Sequence, residues 1–172
     1  MKKICLLLLI SIVAVTIADE RREPATSSVK AETTKPQFTV SPIGRIERES
    51  GQTFIRMEAR CQDGLLGLEQ WSHLWVFYWF DQNDTPEKRS VLRVHPRGNR
   101  DNPLTGVFAT RSPMRPNLIA LSLCRVVTIR GNDIEIESID AFDQTPVLDL
   151  KPYVEGLDRP PGKHNAPKWA SP

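Results

Sequence analysis

Apolar residues recur with period two through the middle of the chain. In "TFIRMEAR", residues 53–60, Ile55, Met57 and Ala59 fall on one side and Arg56, Glu58 and Arg60 on the other, the pattern of a half-buried strand. "HLWVFYWF", residues 73–80, is apolar and aromatic almost throughout and reads as a central strand. "SVLRVH" (90–95) and "GVFAT" (106–110) predict two more. "LIALSLCRVVTI" (118–129), "RGND" and "IEIESID" (134–140) form one pattern, a long hairpin turning at Gly131-Asn132. "PVLDL" (146–150) predicts a last short strand. Helix is confined to a short candidate over 67–72 and a turn over 86–89. Short strands joined by tight turns predict a mostly β fold, a small antiparallel β-barrel with one or two short helices.

The periodicity fails at both ends. Lys2 and Lys3 precede an apolar run over 4–17, and Thr16-Ile17-Ala18 offers small residues for cleavage. That layout predicts a signal peptide over residues 1–18, its apolar run too short to span a bilayer comfortably. The expected location is therefore exported, periplasmic or secreted, with the membrane involved only through this segment. A start further along the chain would instead leave the protein cytoplasmic. Residues 19–37 hold one valine and no larger apolar side chain, which predicts a disordered linker. Residues 159–172 are similar apart from Trp169 and read as a flexible tail. The folded unit is thus expected over 38–158, one core within a chain of 172 residues.

Charge adds a local feature to a neutral background. Of the 23 basic residues, the 21 left when Lys2 and Lys3 are set aside balance the 21 acidic ones, so the chain lacks the overall excess of a dedicated nucleic-acid binder. Residues 88–115 nevertheless hold Lys88, Arg89, Arg93, Arg97, Arg100, Arg111 and Arg115 against Asp101 alone. Such a run is either a solvated basic face or a surface for phosphate. Cys61 and Cys124 lie in apolar contexts, where free buried cysteine is common, although an oxidising compartment would allow them to pair. His73, His95 and His164 are far apart and no CxxC occurs, so no metal site is expected.

The sequence contains no GxSxG, no Gly-rich phosphate loop after a strand and no HExxH. Four polar clusters remain where strands are predicted to end. Asp81-Gln82-Asn83-Asp84 closes the aromatic strand and also suits a turn. The loop over 89–100 is long enough to carry function. Arg111 and Arg115 flank a proline-stiffened turn, where a guanidinium fork suits a carboxylate or phosphate as well as an ion pair with Asp140, Asp143 or Asp149. Asp140, Asp143 and Asp149, with Lys151 nearby, could do acid–base work or bind turn amides.

Taken together, "GLEQWSHLWVFYWF", "GVFATRSPMRPN" and "DAFDQTPVLDLKPY" resemble the TsaA-like (TrmO) family in order and spacing, over about residues 38–158. The resemblance implies a dimeric β-barrel that uses S-adenosyl-L-methionine to methylate N6 of threonylcarbamoyl-adenosine beside the tRNA anticodon. By position it implies cofactor contacts at Asp81, Gln82, Arg111, Leu121, Ile139, Asp140, Ala141 and Phe142. Arg89, Arg93, Arg97, Arg100 and Arg115 would then face RNA, and Asp140 or Asp143 would serve as the base. Four departures accompany the match. The segment after the "IG" strand is short and lacks a Pro-Arg-Gln element, and "FDQ" ends the aromatic strand where a histidine often precedes the glutamine. "RPNLIALS" replaces "RPNPIGLS", and "DQTP" replaces "DGTP". The barrel is expected to survive all four. An exported, non-catalytic barrel that binds a ligand or partner is the reading from the other functional class.

Overall fold

The computed structural model describes residues 37–170, and Phe38 begins the compact unit. The expected signal peptide, and the linker up to its last residue, lie outside the described residues. Strands run in chain order as β1 (Gly44–Glu49), β2 (Gln52–Met57), β3 (His73–Trp79), β4 (Arg93–Val94), β5 (Thr105–Gly106), β6 (Ile119–Arg130), β7 (Asp133–Ile136) and β8 (Pro146–Pro152). Two four-residue helices, α1 (Pro86–Arg89) and α2 (Glu155–Asp158), complete the regular structure with several short 3₁₀ segments, one of which, Leu68–Gln70, stands where a helix over 67–72 is expected. Strands β1-β2-β7-β6-β3-β8 close into an antiparallel barrel, while β4 and β5 pair separately. The expected fold class is therefore the observed one.

Alternation builds this barrel. On β3, Leu74, Val76 and Tyr78 point inward and are buried, while His73, Trp75, Phe77 and Trp79 stay half-buried outside. Ile46, Ile55, Ile134, Ile136 and Val147 supply the matching interior of the other strands, each nearly inaccessible. A one-residue slip in any strand would turn that set out to water, so one face of burial fixes the register.

Two hairpins are closed by two-residue loops. Glu49 pairs with Gln52, and Ser50 and Gly51 take φ of 52° and 82°, as a type I′ turn demands. Arg130 pairs with Asp133 around Gly131, whose φ is 60°, at the turn expected from Gly131-Asn132. On the outer face, Arg56 joins β1, β2 and β7 by pairing with Glu47 at 2.7 Å, Glu49 at 3.0 Å and Asp133. Its guanidinium also lies 4.7 Å from the centre of the Phe54 ring.

Four elements differ from the sequence expectation. "GVFAT" extends only at Thr105–Gly106; Val107–Ala109 turns into 3₁₀ structure that buries Val107 and exposes Phe108. Local bonds replace the ladder there, since both the Thr110 amide and its hydroxyl donate to the Val107 carbonyl. "SVLRVH" narrows to Arg93–Val94 because Ser90 caps α1 and Pro96 has no amide to donate. Strand β2 stops at Met57, where a 3₁₀ turn over Ala59–Leu65 takes over, and β7 stops at Ile136. Cys61 is half-buried and Cys124 fully buried, both as free thiols; burial pushes the Cys124 thiol up to about 11.

Candidate functional site

Four separate segments meet at one end of the barrel around a cavity of about 620 Å³. The C-terminal end of β3 delivers Tyr78, Trp79 and then the turn Asp81–Asn83. The start of β6 delivers Ile119 to Ser122, the loop after β5 delivers Arg111 and Arg115, and the stretch after β7 delivers Asp140, Ala141 and Phe142. The Phe80 amide donates to the Leu118 carbonyl at 2.9 Å, which ties the first two segments together.

Of the residues expected at a cofactor, Asp81, Gln82, Arg111, Leu121, Asp140, Ala141 and Phe142 all line this cavity. Ile139 does not line it; its side chain is buried in the core and anchors the loop from beneath. Arg111 donates from Nη1 to the Leu121 carbonyl at 3.3 Å and makes no ion pair among the described residues. A guanidinium carries five N–H donors, so most of this fork remains for a ligand. Asp149 instead pairs with Lys151 at 3.1 Å.

The two carboxylates expected as bases occupy different places. Asp140 is exposed on the cavity wall. Asp143 lies outside the lining, its Oδ1 accepting the Arg48 amide at 2.9 Å. The basic residues also separate. Arg115 lines the cavity and donates to the Ser112 carbonyl at 3.3 Å. Arg89 is held within the fold by Asp84 at 2.7 Å, the Pro116 carbonyl at 2.9 Å and the Trp79 ring at 5.2 Å. Lys88 donates from Nζ to the Gln82 carbonyl at 2.8 Å, so α1 braces the Asp81–Asn83 turn. Arg93 and Arg100 are exposed away from the cavity, and Arg97 lines a second one of about 820 Å³.

Sequence reading missed two residues that shape the first cavity. Arg48 donates from Nη2 to the carbonyls of Ile139 at 3.0 Å and Ala141 at 2.8 Å, clamping the loop that carries Asp140. No local signal could reveal it, since its partners are more than ninety residues away. Tyr78 donates to the Asp140 carbonyl at 2.7 Å and meets Ser122 Oγ at 3.2 Å. Burial raises the Tyr78 phenol above its ordinary range, so it stays protonated and remains a donor. A stretch apolar almost throughout gave no face to read, and the structure sets Tyr78 inward with Leu74 and Val76.

The profile of the tRNA-methyltransferase O N-terminal domain matches residues 31–159, most of the chain. The chain belongs to the TrmO N-terminal-domain family. A probable S-adenosyl-L-methionine-binding protein of Methanocaldococcus jannaschii is 43% identical over 123 residues, covering 72% of this chain and 98% of the relative. The mouse tRNA (adenine(37)-N6)-methyltransferase is 39% identical over 99 residues, covering 58% of this chain and 22% of the relative. The crystal structure of TrmO from Pseudomonas aeruginosa superposes with a TM-score of 0.59 at 29% identity. That match covers 76% of this chain and 62% of TrmO, so the chain spans less than two thirds of that protein's length.

Two of the departures from the TrmO pattern lie where the backbone is left-handed. Leu118, in "RPNLIALS", has φ 52° and is fully buried, a conformation that proline's fixed φ near −65° could not supply. Gln144, in "DQTP", has φ 63° and donates its amide to Ile46 at 2.7 Å. A left-handed residue with a Cβ costs about 1–2 kcal/mol, partly offset by the extra unfolded-state freedom of glycine. Gln144→Gly is therefore expected to stabilise the protein by about 1 kcal/mol and raise Tm by roughly 3 °C. Thermal denaturation checks this, and a lower Tm would contradict it.

Proposed function

We propose that this chain is an S-adenosyl-L-methionine-dependent methyltransferase acting on N6 of threonylcarbamoyl-adenosine next to the tRNA anticodon. The observation that carries the reading is the convergence of three chemistries on one cavity. A carboxylate and an amide, Asp81 and Gln82, line one cavity with a guanidinium, Arg111, and apolar side chains that include Leu121 and Phe142. About 620 Å³ lies within the range of small-molecule sites. These residues fit the group well. Arg111 would hold its methionine carboxylate, Asp81 and Gln82 its ribose hydroxyls, and Leu121 and Phe142 its adenine. When bound, it supplies an electrophilic sulfonium methyl group.

The chain's own part is positioning and proton removal. A nitrogen conjugated to a carbonyl is a weak nucleophile until it loses its proton. Asp140 is the carboxylate on the cavity wall able to take that proton, whereas Asp143 is committed to the Arg48 amide. Tyr78 and Arg48 act on Asp140 through the backbone, by holding the carbonyls of residues 139, 140 and 141. Positioning of two bound reactants supplies much of the rate in such a reaction.

The experiment combines calorimetry with transfer of a labelled methyl group. The wild-type chain is expected to bind S-adenosyl-L-methionine and to methylate tRNA that carries the threonylcarbamoyl group, but not tRNA lacking it. Asp140→Asn is expected to slow transfer about 10²- to 10⁴-fold at saturating cofactor. No heat and no Tm shift at millimolar cofactor would end the enzyme reading in favour of a binding module. Equal methylation of both tRNAs would end the substrate assignment.

A further inference from the structure

The second cavity, of about 820 Å³, shares Thr110, Arg111, Pro113 and Asp140 with the first. Its outer walls are aromatic: Phe108, which is 78% exposed, and Trp169. Trp169 arrives there in an unusual way. Residues 155–168 are all exposed, and the chain then turns at Lys168–Ala170 and half-buries this one indole. The turn is closed by the Ala170 amide on the Pro167 carbonyl at 2.9 Å. The facing loop is tied by its own bonds, His95 Nδ1 to the Asn102 carbonyl at 2.8 Å and Asn102 Nδ2 to the Pro96 carbonyl at 2.9 Å. The loop side of the cavity is thus held by its own hydrogen bonds.

We infer that this second cavity receives the acceptor base, an adenine extruded from a single-stranded loop, and that Trp169 is its stacking wall. The inference rests on the methyltransferase reading of the first cavity. Reacting atoms in a two-substrate transfer must come within about 3–3.5 Å, so the acceptor has to enter space continuous with the donor's. The two cavities adjoin at Arg111 and Asp140, which line both, so an acceptor in the second would approach a donor in the first there. Bases of loop RNA are held by stacking on aromatic side chains and read at their edges. Phe108 and Trp169 offer the faces, and Asp140 sits at the junction where the exocyclic nitrogen would lie. Trp169 is a specificity and binding residue here, not a chemical one.

The test uses the full chain and two variants, Trp169→Ala and Trp169→Phe. Trp169→Ala is expected to raise KM for a modified anticodon stem-loop by about tenfold or more, with cofactor Kd and Tm unchanged. Trp169→Phe is expected to recover most of that loss. An unchanged KM in Trp169→Ala overturns the inference, and so does a gain in kcat/KM, which would make the tail a plug. Binding is read separately by titrating N6-threonylcarbamoyl-adenosine against tryptophan fluorescence. Quenching in the wild type that is absent from Trp169→Phe supports occupancy of the cavity. If the wild type transfers no methyl group yet shows that quenching, the acceptor chemistry falls and the cavity assignment stands. If transfer is normal and the quenching is absent, the cavity assignment falls alone; if both are absent, both fall.

Discussion

Arg111→Ala is expected to weaken S-adenosyl-L-methionine binding roughly thirtyfold, about 2 kcal/mol, while leaving Tm almost unchanged. The binding loss follows from removing a charge-assisted, two-pronged donor from a carboxylate. The stability prediction follows from the structure. Arg111 is exposed, and its hydrogen bond to the Leu121 carbonyl is a long one, 3.3 Å. Arg111→Lys should fall between the two, because an ammonium keeps the charge and loses the planar fork. Isothermal titration of the three proteins decides the matter. Equal Kd values for wild type and Arg111→Ala would remove Arg111 from the site and with it the orientation proposed for the cofactor.

Gly44→Ala is expected to destabilise the fold by about 3 kcal/mol, a fall in Tm of about 10 °C. A Cβ built on Gly44 would stand 2.5 Å from the Arg56 carbonyl oxygen and 3.1 Å from the Met57 Cα, both backbone atoms that cannot rotate away. Either β1 or β2 must therefore move. If β1 moves, the strain passes to its other neighbour, β8, with which it pairs in register at Gly44–Val147 and Arg45–Pro146. That seam adjoins the site: the Ile46 amide bonds the Thr145 carbonyl at 2.9 Å, and Thr145 lines the first cavity. Weaker cofactor binding should accompany the lower Tm. Gly106→Ala is the control, since nothing lies within 4 Å of its added Cβ, and its Tm should stay within about a degree or two. A Gly44→Ala protein as stable as this control would show that the seam accommodates the methyl group.

Particular residues show how far the chain could be read without coordinates. Ile55 and Met57 were assigned inward by alternation alone and both are buried, whereas Ala59, assigned to the same face, lies beyond the end of β2 and is exposed. The Gly131-Asn132 turn was legible from composition, because few residue pairs tolerate its dihedrals. Val107 and Phe108 defeated the same reasoning. Two adjacent apolar residues gave a strand pattern, while the hydroxyl of Thr110 and the prolines around it favoured a local turn. Arg89 sat within a basic run that read as one surface, yet Asp84, Trp79 and the Pro116 carbonyl draw it into the fold.

The sequence by itself determined the strand faces, the hairpin turns, the family, and the residue types at four strand ends. Those properties are local, set by side-chain period and backbone preference over a few residues. Only the tertiary structure decided which of those ends meet. Barrel closure brought Asp81, Arg111, Leu121 and Phe142 to one cavity, set Asp140 apart from Asp143, and enlisted Arg48 and Trp169 from distant segments. Such contacts depend on strand order and register summed around the whole barrel, and no window of sequence contains that information.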